Sequence, residues 1–241
     1  MSTGSAPLSE EVSASSLPLS WQRLLALSGV VFGVLFVVGW FASGGDAPDY
    51  GASDQDWVDW ADDNQWKSRI GAFAMLLAGF VFLHFAATMR GVLGDAETKR
   101  RGFAQLARVA FAGAVTGMAG MAIAIVTIAA ATSEGAEVEP VVSRAVASAS
   151  AGPFLVSAMG FAAFLVPAGL LTLRSGVFSR WVGIVALVGG VAFLVALVAV
   201  IDGLGQDSLF GFGFFPGVLA LVIWSIATSI ARYRAVAATA S

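Results

Sequence analysis

Between Arg180 and Asp202 the chain reads WVGIVALVGGVAFLVALVAVI (Trp181–Ile201), a run with no charge, amide or hydroxyl. A helix rises 1.5 Å per residue, so about 20 such residues cross a hydrocarbon core about 30 Å thick. Five other stretches have the same character: Leu24–Ala42, Ile70–Met89, Val109–Thr132, Gly152–Leu173 and Phe214–Ala231. None of the six holds an Asp, Glu, Lys or Arg; the charges gather at their ends. Glycines and prolines inside them do not argue against helix, because lipid leaves the backbone no other partners. The fold class that follows is all-α, a transmembrane bundle of six spans.

Composition agrees. The 241 residues are 58% apolar and 12% charged, with a mean hydropathy of +0.84. Soluble domains carry about 25% charged residues, and half of that cannot dress a water-facing surface. A soluble domain, a disordered chain and a disulfide-stapled scaffold are excluded, the last because Cys is 0. Thiolate catalysis and Cys-ligated metal fall with the cysteines. A net charge of -3 gives no reason to expect nucleic acid.

Orientation follows from the basic residues. With the N-terminus placed in the cytoplasm, Arg23, Arg90, Lys99, Arg100, Arg101, Arg108, Arg174, Arg180, Arg232 and Arg234 fall inside, and only Lys67, Arg69 and Arg144 fall outside. Both termini are therefore expected in the cytoplasm of a plasma-membrane, multi-pass protein. Residues 1–20, rich in Ser, Ala and Pro, read as a disordered tail, 21–234 as the six-span domain and 235–241 as a second tail. The first apolar run is too long for a signal-peptide core and reads as a retained span.

The first outer loop is the most unusual segment, GGDAPDYGASDQDWVDWADDNQW (Gly44–Trp66). Ser53 three residues before Asp56 forms a loose capping box. Beyond it Trp57, Trp60, Ala61 and Asn64 share one helical face, while Asp56, Asp59 and Asp63 share another. Clustered carboxylates suit a hard cation, but EF-hand spacing is missing. The favoured expectation is a short amphipathic helix on the outer membrane surface, with Trp57, Trp60 and Trp66 at headgroup level and no metal.

Inside the spans two residues stand out. His84 is the single histidine, and an ionisable group at membrane depth is a functional candidate by default. Proton coupling, a haem ligand and a ligand-contacting donor compete with a neutral imidazole bonded across a helix interface. Pro167 removes a backbone donor and leaves the carbonyl of Ala163 without its helical partner. It reads either as a hinge or pocket wall, or as a static kink. His84 and Pro167 are the two candidate ligand-binding residues. Small residues recur at packing spacing (Gly29 and Gly33; Gly113, Gly117 and Gly120; Gly183, Gly189 and Gly190) and favour a compact bundle. The last outer loop, DGLGQDSLFGFGFFPG (Asp202–Gly217), interleaves Phe210, Phe212, Phe214 and Phe215 with glycines and is expected as an apolar cap or interfacial plug ahead of a re-entrant gate, with Pro216 in the first turn of the last span.

These landmarks resemble a known group. The Gly-rich first span, Pro48-Asp49 with the polar helix Asp54–Trp66, a second span ending in Arg90, RSGVFSRW (Arg174–Trp181) and a last span with Trp224 closing on Arg232-Tyr-Arg234 are similar to uncharacterised six-span integral membrane proteins of high-GC Gram-positive bacteria. That resemblance implies fold and location, and no activity, cofactor or site residue.

No Walker A loop, dinucleotide Gly motif, nucleophile elbow or zinc-protease motif is present, so no cofactor is expected and catalytic residues are none. The leading expectation is a non-enzymatic bundle that binds a lipid-like or small apolar ligand or serves as an accessory subunit, alone or in a homo- or hetero-oligomer. A permease subunit of an ABC-type exporter is the second reading. A lipid-acting membrane enzyme ranks last, since His84 and the carboxylates Asp46, Asp49 and Asp202 lie toward opposite faces of the bilayer.

Overall fold

The computed structural model describes residues 19–43, 47–48, 51–98, 105–133, 139–202 and 209–238. Among them are nine helices: α1 (Leu19–Ala26), α2 (Ser28–Ala42), α3 (Asp54–Thr98), α4 (Leu106–Ser133), α5 (Pro140–Ala149), α6 (Ala151–Ser175), α7 (Arg180–Ala196), α8 (Ala199–Asp202) and α9 (Leu209–Ala238). The tail expected over 1–20 lies outside the described residues except at its last two positions. α9 runs on to Ala238, past the boundary expected at 234.

Five helical stretches are long and apolar enough to cross a membrane: Asp54–Thr98, Leu106–Thr132, Pro140–Ser175, Arg180–Ile201 and Leu209–Ala238. The protein is an all-α, multi-pass membrane bundle. The stretch expected as the first span differs, because it is divided at Leu27 and its apolar part, Ser28–Ala42, has 15 residues. Around the division the bonds tighten: Leu27 N–H donates to the Leu24 carbonyl at 3.1 Å and Val30 N–H to the Leu27 carbonyl at 2.9 Å. These are the three-residue closures of a 3₁₀ turn.

The large helices pack as a ring in chain order. α2 lies on α3, α3 on α4, α4 on α6, α6 on α7 and α7 on α9, and α9 returns to α2. α6 also reaches α3 and α9 across the ring. Aromatic rings fill the middle: Phe82 meets Phe164 edge-on at 5.6 Å, and Trp224 meets Phe164 at 5.2 Å and Phe85 at 5.7 Å. Edge-to-face contact suits the ring quadrupoles.

Lipid supplies no hydrophobic drive between helices, so close contact has to come from small residues. Gly113 shows how close: a methyl there would lie 2.6 Å from backbone atoms of Ala163, Gly160 and Phe164. Gly160 presses on the backbone of Gly117 in return. Gly29, Gly183, Gly189 and Gly190 likewise abut a neighbouring helix.

The last loop also departs from expectation. FGFGFFPG is helical from Leu209 onward, and Pro216 sits inside α9 rather than in its first turn. The physical reason is packing. Phe210 and Phe214, one turn apart, stack at 5.0 Å and bury against Phe154, while Gly213 lets α9 approach Ala192 and Ala196 of α7. An aromatic plug in a loop is replaced by two more turns of bundle.

Candidate functional site

The acidic end of the bundle carries the most elaborate site. Ser53 and Asp56 close the capping box from both sides: Ser53 N–H donates to Asp56 Oδ2 and Asp56 N–H donates to Ser53 Oγ, each at 3.1 Å. The Ser53 hydroxyl and then its N–H hold the exposed Asp56 carboxyl below its ordinary value. From this start α3 runs 45 residues without interruption, about 67 Å and roughly twice the hydrocarbon thickness. The expected short surface helix is thus the first turns of the same helix that contains Ile70–Met89. Its direction is fixed by continuity with the apolar stretch.

Trp57 and Trp60 correct the second half of that expectation. They are 4% and 9% exposed and pack edge-on at 5.9 Å within a small cluster with Ala61, Ala131 of α4 and Ala147 of α5. Protein, not headgroups, covers both indoles. Trp66 is 72% exposed, with the Arg69 guanidinium 5.5 Å over its ring. Asp56, Asp59 and Asp63 occupy the exposed face as the spacing requires. Gln55 Nε2 donates to Asp59 Oδ1 at 2.7 Å. Among the described residues no three His, Cys, Asp or Glu side chains are grouped to hold a metal ion.

α5 is the covering element, and its role was not legible in advance. It opens with Pro140 at the first helical position, a signal available in the sequence. It packs on α3 and α4, and Arg144 reaches across to Asp54 with Nη1 2.8 Å from Oδ1. Beneath it the indole Nε1 atoms of Trp57 and Trp60 are both shut from solvent and have no acceptor among the described residues. A buried donor left unmade costs about 1–3 kcal/mol. Farther along the buried face, Asn64 Nδ2 donates to the Trp60 carbonyl at 2.9 Å, and Lys67 Nζ donates to Asn64 Oδ1 at 3.1 Å.

The two span residues do not join this site or each other. His84 faces out of the bundle. Its Nδ1 lies 3.0 Å from the Phe80 carbonyl of its own helix, and its ring packs on Phe80 at 4.7 Å. Pro167 is buried in α6, which continues through it. The backbone of α4 at Gly113 closes over the neighbouring Ala163, so α4 covers this stretch of α6. Asp46 and Asp49 lie outside the described residues.

Among curated proteins and among solved structures, nothing matches the chain. A family model does match, over residues 25–229, from the α1 helix to the last turns of the final apolar helix. The chain therefore belongs to the family described as a domain of unknown function, DUF4386.

Proposed function

We propose that this is a six-span plasma-membrane protein that binds a lipid-like or small apolar ligand at its outer end and performs no chemistry on it. The sixth span is α1 with α2: Leu19–Ala42 gives about 36 Å of helix, enough to cross despite the turn at Leu27. The distribution of arginine and lysine supports both termini on the cytoplasmic side. The acidic end, with α5, then faces outward.

The single observation behind the binding reading is the pair of orphaned indole donors under α5. An amphiphile with an apolar body and one or two acceptor oxygens would satisfy both N–H groups and replace the alanine contacts of α5. The half-exposed Asp54–Arg144 pair contributes little stability by itself.

Native mass spectrometry of the protein extracted from its own membrane tests this. One small adduct per chain is expected on the native protein and on Arg144→Gln, with Trp57→Phe and Trp60→Phe each losing it. Those two variants keep an aromatic ring and delete the donor. A bare chain, or an adduct indifferent to both tryptophans, sinks the reading. A stoichiometric ATPase subunit in its place would replace it with the ABC-type permease.

A further inference from the structure

The opposite end of the bundle holds Arg23, Arg90, Arg108, Arg174, Arg180 and Arg232. Only two described carboxylates, Asp95 and Glu97, share it. Glu97 is already occupied, since its two oxygens accept the N–H groups of Leu106 and Ala107 at 2.8 and 3.3 Å and so cap the start of α4. That leaves one carboxylate, Asp95, whose charge acts on Arg232. The end therefore carries a large uncompensated positive charge.

Two of these arginines lie on helices that pack together, Arg23 on α1 and Arg232 on α9. α1 packs on both α9 and α3. The antiparallel register of α2 and α9 is fixed where the Gly29 N–H meets Ser229 Oγ at 3.0 Å. Arg23 lies six residues beyond Gly29, and Arg232 three beyond Ser229, both in the same direction. Those steps are about 9 and 4.5 Å of helix, which puts the two residues within about one turn of each other along the bundle axis. Arg232 Nη1 donates to the Thr88 carbonyl of α3 at 3.3 Å. Arg23 Nε is shut from solvent with no acceptor among the described residues, and a charged donor in that state calls for an anion.

The surroundings fit a lipid headgroup. Trp21, two residues from Arg23, is 56% exposed, and indoles favour the headgroup level. On α3, between Thr88 and Asp95, a methyl added at Gly91 or Gly94 would meet nothing within 4 Å. The span glycines that separate packed helices are filled, whereas no described residue covers these two.

We propose that this α1–α3–α9 junction is a binding site for the phosphate of an anionic phospholipid in the leaflet on the arginine-rich side. Arg23 and Arg232 hold the phosphate, Trp21 sits at the headgroup, and the acyl chains run along the outward face of α3. The site lies at the other end of the bundle from the indole pair and does not depend on what binds there.

The test is native mass spectrometry of the protein released from vesicles of phosphatidylcholine and phosphatidylglycerol at three to one. The native protein should retain phosphatidylglycerol in preference to the more abundant neutral lipid. Each arginine near an anionic surface is worth about fivefold in retention, so Arg23→Gln with Arg232→Gln should lose about thirtyfold, whereas Arg180→Gln loses no more than about fivefold. Folding of each variant is checked by circular dichroism in pure phosphatidylcholine. If the double variant fails to fold there, Arg23→Lys with Arg232→Lys keeps the charge, removes the guanidinium fork and should still weaken retention. Equal retention of the two lipids by native protein overturns the proposal, as does equal loss from Arg180→Gln and the double variant. Displacement by millimolar inorganic phosphate would make it a free-phosphate site and overturn the lipid assignment.

Discussion

The Gly29 amide, on the second residue of α2, donates to the hydroxyl of Ser229 on α9 at 3.0 Å, a bond between residues two hundred positions apart and fully buried. It is the point at which the broken first apolar run is tied to the last helix. A methyl on Gly29 would strike that hydroxyl and the Ser225 carbonyl, so the glycine permits the approach and the serine rewards it. Replacing Ser229 by Ala removes the only acceptor that this buried N–H has among the described residues. Ser229→Ala should lower stability by about 1–3 kcal/mol, read as a lower midpoint of thermal unfolding in lipid nanodiscs. Ser225→Ala is the control, because its hydroxyl has no partner, and it should be close to neutral. Equal behaviour of the two variants would remove Ser229 from this role.

That bond also marks where sequence reading stopped. The apolar lengths of the other five runs were legible because lipid imposes one secondary structure on any long uncharged stretch. Trp57, Trp60, Ala61 and Asn64 could be put on one face from spacing alone, and they are the buried face of the first turns of α3. What covers them could not be read. Spacing says which residues point together, and only tertiary contact says whether lipid or another helix meets them. The same gap explains Phe210 and Phe214, whose glycine-rich setting reads as loop until α7 and α6 supply partners. The break at Leu27 was hidden for the opposite reason: no charge or proline in LLALSGVV marks it, and the Gly29 N–H next to it pairs with Ser229 far along the chain.

The contact of α4 with α6 gives a prediction of larger size. Gly160 sits against the backbone of Gly117, with no flexible side chain between them to move aside. Gly160→Ala forces the two helices apart and should cost at least about 1–3 kcal/mol, the usual range for overpacking, with Gly160→Val worse. Gly91→Ala makes the same chemical change on an uncovered surface. There the added methyl improves helix propensity by about 1 kcal/mol and should be neutral or stabilising. Paired unfolding midpoints decide it: a Gly91→Ala loss comparable to that of Gly160→Ala would mean that a partner covers α3 after all.

His84 tests the same distinction between inside and outside with a polar group. Because its bond is to a carbonyl, Nδ1 carries a proton and donates to Phe80 of its own helix. Among the described residues the imidazole makes no recorded bond to another helix. Were it an interhelical donor, deletion would cost about 0.6–1.7 kcal/mol. From its present position His84→Leu should shift stability by no more than about 0.5 kcal/mol, and in lipid the leucine removes an unmatched polar atom from the outward surface. The measurement is thermal unfolding of His84→Leu beside native protein in nanodiscs, with the adduct spectrum recorded on the same samples. Unchanged folding with an unchanged adduct at the indole pair leaves His84 as a surface residue of α3. Unchanged folding with loss of that adduct would move the ligand from the tryptophan end to the outward face of α3, and a clear loss of stability would mean that a partner packs on His84.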